Sequence, residues 1–232
     1  RLTRVAPRGD GVALTFTTPS GEIEVTADRV VVAVPLPLWR TVDSQAVPMP
    51  PAQRAALTAL GMGTNAKLML QFAERVWRSR GASGTAFSDA PPLQSTWDTS
   101  RGQAGASGVL TNFVGGARGV AMGEGTPAER AAEILPWIDA IWPGSAAAFR
   151  PGSALRMHWP TQPLTLGSYA CFHPGQATTA DLLGQAVGPL HLAGEHTSVD
   201  FQGYMEGGAE SGARAAREVL AALGLHDPLA KS

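Results

Sequence analysis

The segment LHLAGEHTSVDFQGYMEGGAESGARAAREVL, residues 190–220, combines a short apolar strand, a polar loop and a glycine-rich helical pattern. Each glycine inside a helix costs roughly 1 kcal/mol relative to alanine, so keeping Gly207, Gly208 and Gly212 costs about 2–3 kcal/mol. A bare helix surface lets another group approach the backbone, and the amides at a helix N-terminus favour an anion or an electron-rich ring edge. The pattern predicts a site for a planar ligand. Tight packing of the helix on a sheet would explain the glycines equally well.

A lysine stands inside a second apolar pattern, AKLMLQFA, at residues 66–73. Lysine is rarely buried unless its amine has a partner. Lys67 therefore indicates either a hydrogen-bonding role beside a ligand or an edge strand whose lysine points to solvent. The five histidines show no paired ligand spacing, and a single cysteine excludes a disulfide framework and a cysteine-based zinc site, so we expect no metal.

The elements that position these residues follow from periodicity and turn signals. Residues 2–34 read as a four-strand β-meander whose last strand, Val30–Val34, is apolar on both faces and is predicted to be central in a sheet. A proline-rich link leads to a helix over residues 52–60, and residues 80–107 look irregular. Thr126, Pro127 and Glu129 form a capping box that opens the next helix. Further strands are predicted at 66–73, 108–116, 154–159, 167–172 and 190–193, followed by a closing helix over 204–223.

Composition limits the class of protein. The 232 residues carry 16% charged residues and a formal net charge of −1, without a lysine or arginine block. These values argue against nucleic acid or an anionic membrane as the main partner. The apolar runs are too short to span a bilayer. A single cysteine fits a reducing compartment, and we expect a cytoplasmic protein.

The sequence AGEHTSVDFQGYMEGGAESGARAA closely resembles the C-terminal flavin motif of the flavin-containing monoamine oxidase family. That family includes bacterial amine oxidases, L-amino-acid oxidases, polyamine oxidases and lysine-demethylase relatives. Three other segments are similar to family segments, so the resemblance covers nearly the whole chain: ADRVVVAVPLPLW, LGMGTNAKLMLQFAERVW and MHWPTQPLTLGSYACFHPG. By this resemblance, the glycines clear space for the flavin ring and for close helix packing.

The resemblance implies a mixed α/β fold, the C-terminal part of a two-domain FAD/NAD(P)-binding flavoprotein. Residues 1–45 and 181–232 would belong to the FAD-binding domain, as its β-meander and its closing strand, loop and helix, and residues 46–180 to the substrate-binding domain. The family's N-terminal dinucleotide-binding unit has no counterpart in this sequence. We therefore expect part of a larger or two-chain enzyme, inactive alone, whose partner is an N-terminal FAD-binding segment or subunit.

The same resemblance assigns three catalytic residues. Lys67 would hold a water against flavin N5. Tyr169 and Tyr204, the two tyrosines of the chain, fall at the positions of the family's aromatic cage, which steers a neutral amine to the flavin. Core packing is the alternative for a lone tyrosine.

The cofactor contacts implied by the resemblance lie in several segments. Trp159 would pack near the flavin, and Gly194 and Glu195 would lie at its pyrophosphate and ribityl end, with a hydroxyl or water as the Glu195 partner. The Met205 amide would face the flavin C2 carbonyl and stabilise the reduced flavin. The remaining predicted contacts are Leu2 toward adenine, Gly203, and Tyr204 a second time.

Ser168 occupies the position of the cysteine that carries the flavin in covalently flavinylated mammalian enzymes, so we predict noncovalent FAD. Cys171 is predicted to be a small buried hydrophobic residue. The helical spacing of Glu206, Glu210, Arg214 and Glu218 is typical of a solvated face with i,i+4 pairs.

The predicted activity is FAD-dependent oxidation of a small amine or α-amino acid to an imine, with dioxygen as acceptor and hydrogen peroxide as product. The sequence does not identify the amine, nor does it separate an oxidase from a dehydrogenase. Two alternatives stay open. One is a related desaturase or protoporphyrinogen-oxidase-like flavoprotein that acts on carbon–carbon bonds. The other is a noncatalytic fragment or subunit.

Overall fold

The computed structural model describes residues 1–226, so residues 227–232 of the predicted 181–232 segment lie outside the described residues. The strands are β1 (Leu2–Arg8), β2 (Gly11–Thr18), β3 (Gly21–Ala27), β4 (Val30–Val32), β5 (Gly61–Met62), β6 (Ala66–Phe72), β7 (Ala86–Phe87), β8 (Ser95–Asp98), β9 (Gly108–Val114), β10 (Leu155–His158), β11 (Ala170–Cys171) and β12 (Leu190–Leu192). The helices are α1 (Leu36–Trp39), α2 (Pro51–Ala59), α3 (Val76–Ser79), α4 (Gly116–Ala121), α5 (Pro127–Ile141), α6 (Ser145–Ala148), α7 (Ala180–Leu183) and α8 (Met205–Ala222).

Backbone contacts divide the chain into two compact units. The first joins residues 1–62 to the chain from residue 169 onward, and the second comprises residues 63–168. These boundaries differ from the predicted crossings near 45 and 180. Helix α2 packs in the core of the first unit through Ala56 and Leu57, and β11 pairs with β5 in that unit. The assignment of FAD-binding and substrate-binding roles to the segments stays a prediction.

The first unit contains a three-stranded antiparallel meander, β1-β2-β3. The prediction of a four-strand meander is wrong, because β4 leaves it and pairs in parallel with β12, Val30 opposite Leu190. The prediction that this strand is central is also wrong for the described residues, where β12 is its partner and Val31 is 44% exposed. The apolar residues of β4 are buried on one face of the strand, where Val32 lies in the core of the first unit.

The second unit is a five-stranded sheet in the order β10-β6-β9-β8-β7, covered on one face by α5. Alternate residues of β6 are buried, and Leu68 and Leu70 share a core with Ile134 and Ile138 of α5. The predicted capping box is confirmed at the start of that helix, where Thr126 accepts the Glu129 N–H and the Glu129 carboxylate accepts the Thr126 N–H.

The interpretation of residues 80–107 as irregular is wrong in part, since this stretch supplies β7 and β8. The end of β8 is anchored by the buried carboxylate of Asp98, which accepts from Trp77 Nε1 at 3.1 Å and from the Ser100 N–H at 2.8 Å, and pairs with Arg78 at 2.8 Å. Burial raises the pKa of Asp98, but these hydrogen bonds outweigh it and hold the pKa below its usual range.

Candidate functional site

The site in the first unit is a loop between β12 and α8. Gly194, two residues after β12, has φ +125°, and a Cβ there would lie 2.5 Å from the ring of His196, so the position requires glycine. A 3-10 turn, Glu195–Thr197, follows. Ser198 Oγ then accepts the N–H of Phe201 at 3.0 Å and donates to the carboxylate of Glu210 on α8. The loop is therefore fastened to the helix that it precedes.

The glycines of α8 have different surroundings. A Cβ at Gly207 would lie 2.3 Å from the carbonyl oxygen of Phe201, so this glycine lets the loop backbone touch the helix. At Gly208 and Gly212 no described atom lies within 4 Å of such a Cβ. Close packing thus accounts for Gly207, while Gly208 and Gly212 leave the helix surface bare.

Tyr169 and Tyr204 are brought into the same part of the first unit. The ring of Tyr169 covers Gly203, whose added Cβ would lie 3.6 Å from Tyr169 Cδ2, and Gly203 directly precedes Tyr204. Tyr204 is 71% exposed and Tyr169 37%. The structure therefore places one tyrosine ring against the backbone that carries the other.

Glu195 lies between the two tyrosine-bearing segments. Its carboxylate accepts the N–H of Ala170 through Oε1 at 2.7 Å and the N–H of Gly203 through Oε2 at 2.7 Å. The N–H of Gly194 is also used within the unit, since it donates to Ser211 Oγ at 3.0 Å. The roles of Gly194 and Glu195 toward the pyrophosphate and ribityl groups stay predictions.

Two further predicted contact residues lie elsewhere in the first unit. Met205 is the first residue of α8, and its side chain is 95% exposed. Leu2 lies in β1 and packs half-buried against the core of this unit. Their predicted contacts with the flavin C2 carbonyl and with adenine stay predictions.

Lys67 belongs to the second unit and lies in β6, which has β10 on one side and β9 on the other. The alternative of an edge-strand lysine is therefore excluded. Its Nζ lies 5.8 Å from the ring centroid of Trp97 and 5.9 Å from that of Phe113, within the range of cation–π attraction. Sequence reasoning missed both rings. Strand alternation in β9 could have found Phe113, whereas Trp97 lay in the stretch read as irregular.

Asn65 is a second residue that sequence reasoning missed. This buried side chain immediately precedes β6; its Oδ1 accepts from Ser168 Oγ at 2.6 Å, and its carbonyl oxygen accepts the Trp159 N–H at 3.3 Å. It therefore connects two of the predicted positions to the start of the strand that carries Lys67. A lone asparagine in a loop gave no signal for this role.

The prediction for the polar face of α8 is wrong in part, and the prediction that Cys171 is buried is wrong. On α8, Glu218 binds Arg214 at 2.6 Å and the buried His191 at 3.0 Å, and Arg214 also donates to the carbonyl oxygen of Leu192 at 2.6 Å. The predicted i,i+4 pairing is thus confirmed for Arg214 and Glu218, and Glu206 and Glu210 are exposed, but Arg214 and Glu218 belong to a polar network against β12 and not to a solvated face. Cys171 is exposed, because β11 leaves its side chain outside the core.

Known proteins are similar to this chain over the segments that carry these residues. The sequence model described as "Flavin containing amine oxidoreductase" matches residues 1–220. This chain belongs to the flavin-containing amine oxidoreductase family. It is 32% identical over 216 residues to a Mycobacterium tuberculosis protein named as a flavin-containing monoamine oxidase, covering 92% of this chain and 45% of that protein.

Two more relatives differ in their named activities. An L-amino acid dehydrogenase of Synechocystis is 30% identical over 181 residues, which cover 76% of this chain and 37% of the relative. The structure of cyclohexylamine oxidase from Brevibacterium oxydans superposes with a TM-score of 0.82 at 25% identity, covering 97% of this chain and 48% of that one. The chain thus spans about half the length of its relatives, or less.

The residues at the start of α8 fit a flavin. Tyr204 is the N-cap residue of α8 and makes no side-chain capping hydrogen bond, so it does not compete for the amides of the first turn. Gly208 and Gly212 leave the neighbouring surface bare, and the exposed side chains of Tyr204 and Met205 offer apolar area that a planar ring system would cover. These features suit an electron-rich aromatic ligand at a helix N-terminus.

The described part of the chain holds no cluster for a metal ion and no helix for a membrane. Within residues 1–226 no group of three or more histidine, cysteine, aspartate or glutamate side chains could hold a metal ion. None of the helices found there has the length and apolar character needed to cross a bilayer.

His196 is expected to make the stability of this chain sensitive to acid. Burial, and then the positive charge of Arg214, lowers the pKa of this histidine from 6.5 to about 4. Between pH 6.5 and about 4, His196 therefore binds a proton in the unfolded chain but not in the folded chain. The stability that this residue contributes above pH 6.5 is lost as the pH falls toward 4. The shift corresponds to roughly 3 kcal/mol.

Urea unfolding at pH 7 and pH 4.5 measures this loss. Between these pH values, the His196→Gln variant is expected to lose less stability than wild type. The control His226→Gln changes an exposed histidine and is expected to lose as much stability as wild type. Equal pH dependence of wild type and His196→Gln would contradict the assignment.

Proposed function

We propose that the enzyme containing this chain oxidises a small amine or α-amino acid to an imine, with FAD as cofactor and dioxygen as final acceptor. The carbon–nitrogen single bond of the substrate becomes a double bond as two electrons and two protons leave, and dioxygen gains them to form hydrogen peroxide. The observation that carries the proposal is the pair Tyr169 and Tyr204, held at Gly203 beside the bare start of α8 in a member of this family. The FAD, when bound, supplies the two-electron acceptor that the protein side chains lack.

The chain's own residues would bind and orient the reactants. The rings of Tyr169 and Tyr204 would flank the amine and admit its neutral form, which carries the nitrogen lone pair needed for imine formation. The first amides of α8, beginning with Met205, would bind the electron-rich edge of the flavin. Lys67, with Trp97 and Phe113 beside it, would hold an ordered water by donating from its ammonium group.

The named activities of the relatives support the amine and leave the acceptor to experiment. Monoamine and cyclohexylamine oxidases support a small amine substrate, whereas the L-amino acid dehydrogenase supports an amino acid and an acceptor other than dioxygen. Because the chain spans about half of these proteins or less, we propose a preceding FAD-binding segment or subunit as its partner. The single cysteine supports a cytoplasmic location.

Anaerobic mixing of the FAD-containing enzyme with a panel of primary amines and L-amino acids tests the proposal. We expect loss of the oxidised-flavin absorbance with at least one class, and peroxide release after air is admitted. Bleaching without peroxide would replace the oxidase with a dehydrogenase. No bleaching by any amine, in a protein whose flavin is reduced by dithionite, would contradict amine oxidation itself.

The flavin is predicted to be noncovalent. Ser168 carries a hydroxyl that donates to Asn65 at 2.6 Å and offers no thiolate for linkage to the flavin ring. After acid precipitation of the holoenzyme, we expect all flavin absorbance in the supernatant, for wild type and for the control Cys171→Ser, which removes the chain's single thiol. Flavin that stays with the protein pellet would contradict this assignment.

A further inference from the structure

The carboxylate of Glu195 makes two hydrogen bonds to backbone amides in distant parts of the sequence. Oε1 accepts from Ala170 and Oε2 from Gly203, each at 2.7 Å. Ala170 directly follows Tyr169, and Gly203 directly precedes Tyr204. One side chain thus holds the backbone next to each tyrosine of the chain.

We propose that Glu195 is a positioning residue that fixes the spacing and orientation of the tyrosine pair. This role concerns contacts within the protein and differs from a direct contact with the cofactor. For its catalytic meaning the inference rests on the proposed function, in which Tyr169 and Tyr204 flank the amine.

The chemistry of a carboxylate suits this position. Each oxygen of an ionised glutamate accepts hydrogen bonds and neither donates, so both amides find an acceptor, and the charge strengthens both bonds. A glutamine offers one oxygen, and its amide nitrogen would face the other N–H. An aspartate keeps both oxygens but is shorter by one methylene group and cannot reach both amides from the same backbone.

The backbone around the two hydrogen bonds of Glu195 has little freedom to move. Glu195 begins the 3-10 turn three residues after the end of buried β12, and Gly194 before it adopts a conformation that packing on His196 restricts to glycine. On the other side, Ala170 pairs with Met62 in the two-residue ladder of β11 and β5. Gly203, with φ +83°, lies under the ring of Tyr169. A shift of either segment therefore moves a tyrosine.

Fluorine NMR observes the two tyrosines directly. Protein labelled with 3-fluorotyrosine gives one resonance for each tyrosine, assigned with Tyr169→Phe and Tyr204→Phe; this chain contributes two. We expect Glu195→Ala to move both resonances and Glu195→Gln to move at least one. The matched control Glu22→Gln, an exposed carboxylate on β3, moves neither. In the same flavin-loaded protein, Glu195→Gln is expected to lower kcat/KM for the amine by roughly 10- to 100-fold.

Wild-type resonance positions in folded Glu195→Ala and Glu195→Gln would overturn the inference. Amide exchange in unmutated protein supplies a measurement that needs no variant to fold: Ala170 and Gly203 should both be protected, and exchange at the rate of exposed amides would also overturn it. A flavin that no amine reduces contradicts the proposed function without affecting either NMR result. If the enzyme oxidises amines but the resonances of the Glu195 variants do not move, only the positioning role of Glu195 is contradicted.

Discussion

Replacing Lys67 with methionine is expected to slow flavin reduction or reoxidation by roughly 10²- to 10⁴-fold, the range of a well-placed proton-transfer or hydrogen-bonding group. The lysine lies in the interior strand β6, with Trp97 and Phe113 beside its ammonium group. Methionine keeps the length and apolar character of the side chain but removes every donor, so it leaves the proposed water without its anchor. The fold should survive, because the buried residues of β6 lie on the other face.

Stopped-flow measurement of both half-reactions, together with thermal unfolding, checks this expectation. The matched control is Gln71→Met, which removes a polar, half-buried side chain from the same face of the same strand. Gln71→Met should react at the wild-type rate. If Lys67→Met does so as well, Lys67 has no part in the mechanism.

Replacing Gly207 with alanine is expected to destabilise the first unit by roughly 1–3 kcal/mol, the usual cost of overpacking. The added Cβ would lie 2.3 Å from the carbonyl oxygen and 2.9 Å from the carbonyl carbon of Phe201. Both atoms are backbone, so the loop itself must move and no side chain can relieve the clash by rotating. Since Gly203 and Tyr204 follow in this loop, we also expect weaker flavin retention.

The other helix glycines provide the control for that substitution. Gly212→Ala adds a Cβ with no described atom within 4 Å, on an exposed face of α8, and should stabilise the helix by roughly 0.5–1 kcal/mol. Chemical unfolding of both variants measures the difference in stability. Flavin retention is compared between Gly207→Ala and wild type only, because Gly212 belongs to the bare surface on which the flavin is proposed to lie. Equal stability of Gly207→Ala and wild type would show that the loop does not pack on this helix as described.

The elements with strong local signals were predictable from sequence. The capping box and apolar spacing of α5 fixed that helix, alternation fixed β6, and the apolar stretch at residue 190 followed by glycines indicated β12 and α8. The same signals placed Gly203, Tyr204 and Met205 at a helix start. Local chemistry sufficed because each element carries its own periodicity or cap.

Features that depend on distant pairing were not predictable. The pattern of β4 is apolar, but nothing in it says that its neighbour is β12 and not β3. The four residues of β8 show no clear strand pattern, because glycine and serine surround them in the sequence. The carboxylate of Asp98 anchors the end of this strand through contacts with Trp77 and Arg78, which the local sequence does not indicate. The Glu195 carboxylate likewise binds amides of Ala170 and Gly203, which lie elsewhere in the sequence. The type and position of a single glutamate do not indicate such partners.

The discontinuous first unit has a consequence for protein synthesis. Residues 63–168 form one unbroken stretch, whereas residues 1–62 need the chain from residue 169 onward to complete their unit. In particular, the partner that β4 has within residues 1–226 is Leu190–Leu192, which the ribosome makes about 160 residues later. A nascent chain can therefore finish its second unit while the first still presents an open strand edge and uncovered core residues such as Leu36 and Trp39.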